Sequence, residues 1–495
     1  MTRIPSGTER GTFLAIDLGG TNCRICCVTL HGDSTYGVIQ TKFPIASEVR
    51  VNASYRPLFA VIATKLGEFI DANLPRKGDA ARAYNLGFTF SFTIDQISLA
   101  QGILIRWDKG WDIPEAVGKD PCALLQEAID ELGLPVKVCV LANDSVGTLL
   151  TRAYTSKSPA PTLAGVIFGT GTNAAYVERR EQVTRLSATS GACGTNGVMV
   201  MNTEWGSFFD EPNHKEVLLS TTYDATLDMQ SSMPGEQILE KRVSGMYLGE
   251  LFRLVLLDLL HKNVLDMTLS KAGIAHELGG VDSSFLSALT AENDGREEGL
   301  TGLIRRNLSA ENVSLADAVL LRKAAVAIVT RSARIAGAAL AAIIIQSGLL
   351  ESASGAHGKP ACLPTASLTT RLSMSSSSYP RLRAAIERLV ESVAKTFCIS
   401  SEHPGPSSIA SKNSISTSSQ GSESGTVPYD DMIDIGVDGS LIQHCSGFED
   451  EIRKALRQVK EVGPANEKKI RIGLAKDGSG VGAALMAQAA AVYLG

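Results

Sequence analysis

Between residues 13 and 43 the chain sets three short apolar runs, 13–18, 25–30 and 37–43, between polar and glycine-bearing breaks. Runs of that length closed by turn residues, such as those of "TLHGDS", predict three strands joined as hairpins. The pattern then lengthens. Apolar residues at helical spacing near 56–72 predict a helix, and strand-like runs return at 84–92 and 136–142. "PCALLQEAIDEL" (121–132) is amphipathic, with Asp120 placed to cap it and Pro121 at its first helical position. "PGEQILEKRVSGMYLGELFRLVLLDLL" (234–260) predicts one long helix beginning at its proline, and 315–348 predicts another, rich in alanine. "MIDIGVDGSLI" reads as a strand, and the chain closes on a glycine loop feeding an apolar helix, "LAKDGSGVGAALMAQAAAVYL".

Two stretches share one frame. "AIDLGGTNCRICCV" (15–28) and "VIFGTGTNAAYVER" (166–179) each run from an apolar strand through glycines into Gly-Thr-Asn and a second apolar strand. Gly20, Thr21 and Asn22 match Gly171, Thr172 and Asn173. The same β-hairpin is therefore expected twice, once per half. Paired glycines between strands mark a turn or a close backbone approach. A glycine turn offering a hydroxyl and backbone N–H groups cradles an anion, and two such turns fit the phosphates of a nucleotide.

The absence of G-x-x-x-x-G-K-[ST] excludes a P-loop, and the absence of the H-R-D and D-F-G set excludes a protein kinase. "DGSGVGAA" lies where the chain ends, without the second strand and ribose-binding acid of a dinucleotide fold. Phosphoryl transfer asks for a base near an acceptor hydroxyl, N–H or cationic groups around the phosphates, and magnesium. In "VKVCVLANDSVGTLL" one acid, Asp144, follows a fully apolar strand. Taken alone, it reads first as a helix N-cap.

The 495 residues suffice for more than one domain, and a net charge of −5 without a basic block gives no footprint for nucleic acid. "IAGAALAAIII" (335–345) falls short of the roughly 20 apolar residues of a membrane span and reads as a buried helix, so no membrane association is expected. The N-terminus shows no apolar signal region, and nine scattered cysteines fit a reducing, cytoplasmic setting. Cys23 and Cys26 form a C-x-x-C with no second pair at zinc spacing, so they read as small core residues on a strand, and no protein metal site is expected. Two serine-rich segments, 350–380 and 400–427, carry too few apolar residues to pack and read as surface insertions within 350–427.

Seven motifs then fall in one order: "LGFTFSF" (86–92), "RWDKGWD" (106–112), "NDSVGTL" (143–149), "GTGTNAAY" (169–176), "NTEWGSF" (202–208), "PGEQILEK…SGMYLGEL" (234–251) and "DGSGVGAAL" (477–485). From about residue 9 to its end, the serine-rich inserts excepted, the sequence resembles the eukaryotic hexokinases of the actin-like ATPase superfamily. That resemblance implies an α/β, duplicated ribonuclease-H-like fold with two domains, 1–155 and 160–495, around a cleft.

It also implies an enzyme using ATP and Mg²⁺ to phosphorylate the 6-hydroxyl of glucose or a related hexose (fructose or mannose included), as monomer or homodimer. Asp144 resembles the catalytic base. Ser91, Lys109, Asn143, Asn173, Glu204 and Glu240 resemble the hydrogen-bonding shell of the sugar. Asp17, Gly19, Gly20, Thr21, Asn22 and Arg24 resemble the first phosphate loop, and Thr170, Gly171 and Thr172 the second. Gly436, Asp438, Gly439 and Ser440, with Gly478 and Gly480, resemble the adenosine pocket. The chain departs from the family at Asp108, where threonine is usual, and at Thr93, where proline is usual. These departures keep a second expectation open: a regulatory sugar sensor with little or no catalysis.

Overall fold

The computed structural model describes residues 4–20, 22–74, 83–107, 110–157, 160–183, 197–211, 218, 220–291, 297–352 and 432–494. Thr21, Asp108, Lys109 and the serine-rich stretch 353–431 lie outside the described residues.

In the first half, strands β1 (Arg10–Leu18), β2 (Asn22–His31) and β3 (Tyr36–Pro44) form the expected meander. Helices α1 (Ser47–Arg50) and α2 (Arg56–Asn73) lead to β4 (Tyr84–Phe90). The expected strand 84–92 ends at Phe90, and a separate hairpin follows: β5 (Thr93–Ser98) and β6 (Gln101–Arg106). Helix α3 (Pro121–Glu131) starts as predicted, its Asp120 carboxylate accepting from the Cys122 N–H. Then come β7 (Val136–Ala142) and α4 (Asp144–Thr155).

The second half repeats the plan with β8 (Thr162–Phe168), β9 (Thr172–Arg179) and β10 (Val198–Asn202). A small pair, β11 (Thr268–Leu269) and β12 (Ala310–Glu311), lies within a helical region. β13 (Ile433–Asp438) and β14 (Ile470–Leu474) complete the large sheet. The two sheets have the orders β3-β2-β1-β4-β7 and β10-β9-β8-β13-β14. In each, the first three strands pair antiparallel and the last two join parallel. The duplication expected from one shared tripeptide therefore extends to whole sheets.

The final helix of each half crosses to the other half's sheet. α4 packs on β8 and β13, while Gly478–Leu494 packs on β1, β4 and β7. Residues 478–494, assigned by sequence to the second domain, thus cover the first sheet. The two helices touch at glycines: a Cβ built on Gly482 would lie 2.1 Å from the Gly147 Cα. The strands beneath are glycine where each helix lands. A Cβ at Gly87 of β4 would lie 2.4 Å from the Ala483 carbonyl oxygen, and one at Gly436 of β13 would lie 2.5 Å from the Arg152 Cβ.

The expected single helix 234–260 is two: Glu240–Val243 and Gly245–His261, broken at Ser244. Pro234 and Gly235 form a turn instead, with Gly235 at φ +82°. Leu315–Ser347 is one helix of 33 residues, capped at its start by Ser314 and ended by left-handed Gly348. It is long and apolar enough to cross a membrane, yet 78% of its apolar window is buried inside the protein, as expected of a core helix.

Cys23 and Cys26 are buried on β2. Burial, aided by the Asp17 charge, pushes the Cys23 thiol up. Burial likewise pushes Cys26 up to about 12, against the lowering effect of Arg24. Neither thiol forms a reactive thiolate near neutral pH. Alkylation of the native protein followed by peptide mapping is expected to leave both unmodified until denaturant is added. Labelling in the native state would contradict their place in the core.

Candidate active site

The β8–β9 elbow is a tight turn in which the Gly169 N–H donates to the Gly171 carbonyl at 3.0 Å. It sits on the start of the helix Gly245–His261, whose Gly245 and Met246 N–H groups donate to the carbonyls of Gly169 (2.8 Å) and Thr170 (3.1 Å). The first-turn amides of a helix lack partners within it, so the elbow carbonyls satisfy them and are fixed in return. Thr172 faces inward. Its hydroxyl donates to the Ile167 carbonyl (2.9 Å) and accepts from Trp205 Nε1 (3.2 Å). Its N–H donates to Glu240 Oε2 at 3.0 Å. Thr170 is the exposed hydroxyl of this elbow. Gly439, at φ +113°, abuts the turn: a Cβ there would lie 2.4 Å from the Phe168 carbonyl oxygen. The Asp438–Ser440 loop and the second elbow therefore share one wall.

At the first elbow the Gly19 N–H donates to the Asn22 carbonyl (3.0 Å), and Trp111 Nε1 donates to the Gly20 carbonyl (2.6 Å). Arg24 places one arm on Asp17 (3.0 Å) and the other on Asp477 (2.9 Å). Asp17 also accepts from the Ser479 hydroxyl at 2.7 Å. Burial opposes the Arg24 charge, but Asp17, Cys26, Asp477 and Asp438 more than offset it, and the guanidinium is held more firmly protonated than usual. Arg24 thus acts by organising carboxylates at the end of β1. Burial pushes the Asp438 carboxyl up, with a smaller contribution from Asp477, against the lowering effects of the Gly439 and Gly478 N–H groups and Arg24. Gly478 and Gly480 are buried in packing positions: a Cβ on Gly478 would lie 2.7 Å from Thr148 Oγ1, and one on Gly480 3.2 Å from Cys26 Sγ. Packing accounts for glycine at both.

Between the elbows, amides and carboxylates converge. The cap expected of Asp144 is supplied by its neighbour: Asn143 Oδ1 accepts from the Ser145 N–H (2.9 Å), leaving Asp144 as the first residue of α4. Asp144 Oδ1 also accepts from Ser145 N–H at 2.8 Å. A carboxylate in a helix's first turn sits favourably against the helix dipole. Glu204 holds a left-handed backbone (φ 48°, ψ 44°), uncommon for a residue with a Cβ. Its Oε1 lies 3.1 Å from Asn173 Nδ2 and 3.4 Å from Asn143 Nδ2. Glu240 lies against the second elbow, with Oε1 2.9 Å from where a Cβ on Gly171 would stand, so a side chain there would displace the Glu240 carboxylate.

Ser91 continues the β1–β4 pairing, its N–H donating to the Leu18 carbonyl at 3.3 Å. The segment flanking Lys109 is pinned by stacked Trp107 and Trp111 (5.4 Å, 14°), with Phe92 edge-on to both. The structure thus brings Asn143, Asn173, Glu204 and Glu240 to one wall beside the second elbow. Asp144 is next to Asn143 on that wall.

Two hexokinase family models match this chain, one over residues 1–154 and the other over 163–403 and 405–489. The chain belongs to the hexokinase family. Among curated hexokinase relatives, the glucokinase of Aspergillus niger is 37% identical across 98% of this chain and 87% of that protein. Hexokinase-2 of Schizosaccharomyces pombe is 34% identical across 98% and 86%. Among solved structures, a hexokinase from Schistosoma mansoni complexed with glucose matches at a TM-score of 0.71 and 28% identity, over 99% of this chain and 87% of that one.

Four polar residues of this hexokinase site escaped the sequence reading. Asn202 and Ser145 join the amide cluster, and Asp477 and Ser479 reach the end of β1. Asn202 and Ser145 stand inside motifs already singled out, so their position was the available signal. Asp477 and Ser479 likewise stand inside the motif 477–485, but the pairing of Asp477 with Arg24, 453 residues away, leaves no local mark.

Proposed function

We propose that this hexokinase-family enzyme transfers the γ-phosphoryl group of ATP to the 6-hydroxyl of glucose or a close hexose, at the entry to glycolysis in the cytoplasm. The observation that carries this reading is the Asn143–Asp144 pair at the start of α4, set beside Asn173 and Glu204 and next to the second elbow. Ring hydroxyls both donate and accept, and a wall of amides and carboxylates answers both. Ser91, Lys109, Asn143, Asn173, Glu204 and Glu240 hold the sugar. Asp144 takes the proton of the 6-hydroxyl as its oxygen bonds to the γ-phosphorus and the bond to the ADP oxygen breaks. Thr170 and the backbone of both elbows receive the phosphates, and the loop Asp438–Ser440 receives the adenosine. Gly436, expected there too, instead lies within β13 beneath α4, where the Arg152 Cβ leaves no room for a side chain.

Among the described residues no three His, Cys, Asp or Glu side chains form a metal-holding group. Magnesium is commonly held by one or two carboxylates plus substrate phosphates, and Asp17 and Asp438 are carboxylates of that kind. Burial disfavours the charged form of Asp438, a cost that a cation would relieve. Magnesium held there would neutralise phosphate charge.

A coupled ADP-release assay with glucose, fructose and mannose is expected to show sugar-dependent turnover. A sugar-dependent thermal shift without turnover would overturn the reading and support a sensor instead.

A further inference from the structure

We infer that Asn202 is a positioning residue for the sugar-binding carboxylate: it holds Glu204 in place through a direct amide bond. This rests on the proposed assignment of Glu204 to the sugar shell. Asn202 is the last residue of β10, two positions before Glu204. Its Nδ2 lies 2.6 Å from Glu204 Oε1, the shortest contact that oxygen makes in the amide cluster. Its Oδ1 accepts from Asn173 Nδ2 at 2.8 Å and from the Ser145 hydroxyl at 3.4 Å.

The amide orientations follow from chemistry. A carboxylate only accepts, so an amide facing it must present N–H. Asn173 Oδ1 takes the Ala174 N–H (2.8 Å), and Asn143 Oδ1 takes the Ser145 N–H (2.9 Å). Both therefore turn their Nδ2 toward Glu204. Asn202 alone is held by side chains and not by backbone in this network. It bridges the helix that carries Asp144, through Ser145, to the strand end that carries Glu204. Hydrogen bonds to a charged group are stronger than neutral ones. Here three converge on one oxygen of a residue whose backbone is already in an unfavourable region.

The test compares three variants of the full chain by steady-state kinetics, with melting temperature as the control for folding. Asn202→Ala is expected to raise the KM for glucose about tenfold or more, with the KM for ATP changed less than twofold. Asn202→Asp keeps the size but sets a carboxylate against Glu204, and is expected to be worse than alanine. If Asn202 merely filled space, the near-isosteric aspartate would be the milder change, and that order would overturn the inference. The exchange variant N202D/E204Q restores one donor and one acceptor, and is expected to recover part of the loss seen in N202D. Absence of any recovery, or a glucose KM within twofold of wild type in N202A, would also overturn it. Glu204→Gln alone separates the two levels. An unchanged glucose KM there would remove Glu204 from the sugar shell. A raised KM there beside an unaffected N202A would remove only the role of Asn202.

Discussion

Asp144→Ala is expected to lower kcat by about 10²- to 10⁴-fold, the range a positioned general base contributes, while glucose still shifts the melting temperature. The separation of effects follows from where the residue sits. Asn143 caps α4, so losing the Asp144 carboxylate does not uncap the helix. Ser145 retains Asn143 Oδ1 as a partner for its N–H at 2.9 Å. Asn173 and Glu204 keep their mutual contact at 3.1 Å. The groups proposed to bind the sugar therefore survive, and only the proposed proton acceptor is lost. Asp144→Asn, which keeps shape and first-turn geometry, is expected to be nearly as inactive. Single-turnover and steady-state assays of both variants check this, and turnover near the wild-type rate in either would remove Asp144 from the chemistry.

Gly482→Ala is expected to destabilise the protein by about 1–3 kcal/mol or more, as overpacking does. The added methyl would stand 2.1 Å from the Gly147 Cα and 2.4 Å from its carbonyl oxygen. Carbon atoms sit comfortably at roughly 3.5–4.0 Å, and backbone has no rotamer with which to retreat. The helices must part. Alanine favours a helix over glycine by about 1 kcal/mol, so the clash has to exceed that gain. Gly299→Ala is the control. That helical glycine has nothing within 4 Å of its Cβ position, so the same change there should stabilise. Urea midpoints for the two variants should move in opposite directions. Activity should fall in Gly482→Ala as well, because Gly147 lies one turn from Asp144. A Gly482→Ala midpoint at or above wild type would show that the crossing has slack.

What could be read from the sequence was what depends on neighbours along the chain. The hairpins around Gly20 and Gly171 and the Asp120 cap all follow from local pattern, and all were found. The break at Ser244 left no trace because apolar spacing continues across it from Leu239 to Leu248, and only the packing of two helices reveals the corner. The β5–β6 hairpin was hidden by polar, exposed residues such as Asp95 and Gln96, which do not read as a strand. In the candidate site, residue types singled out the polar side chains proposed to hold the sugar, but which atoms meet did not follow from type. Thr172 looked like a phosphate ligand until its hydroxyl proved committed to Ile167 and Trp205. Arg24 looked like one too, but both of its arms are on carboxylates.

Each sheet is covered by the other half's last helix, and this removes the option of folding in two instalments. A nascent chain ending near residue 157 can pair β7 with β4, but it leaves α4 without the β8 and β13 surface it packs on and leaves β1, β4 and β7 without the Gly478–Leu494 cover. Completion of the first lobe waits for the final seventeen residues of the second.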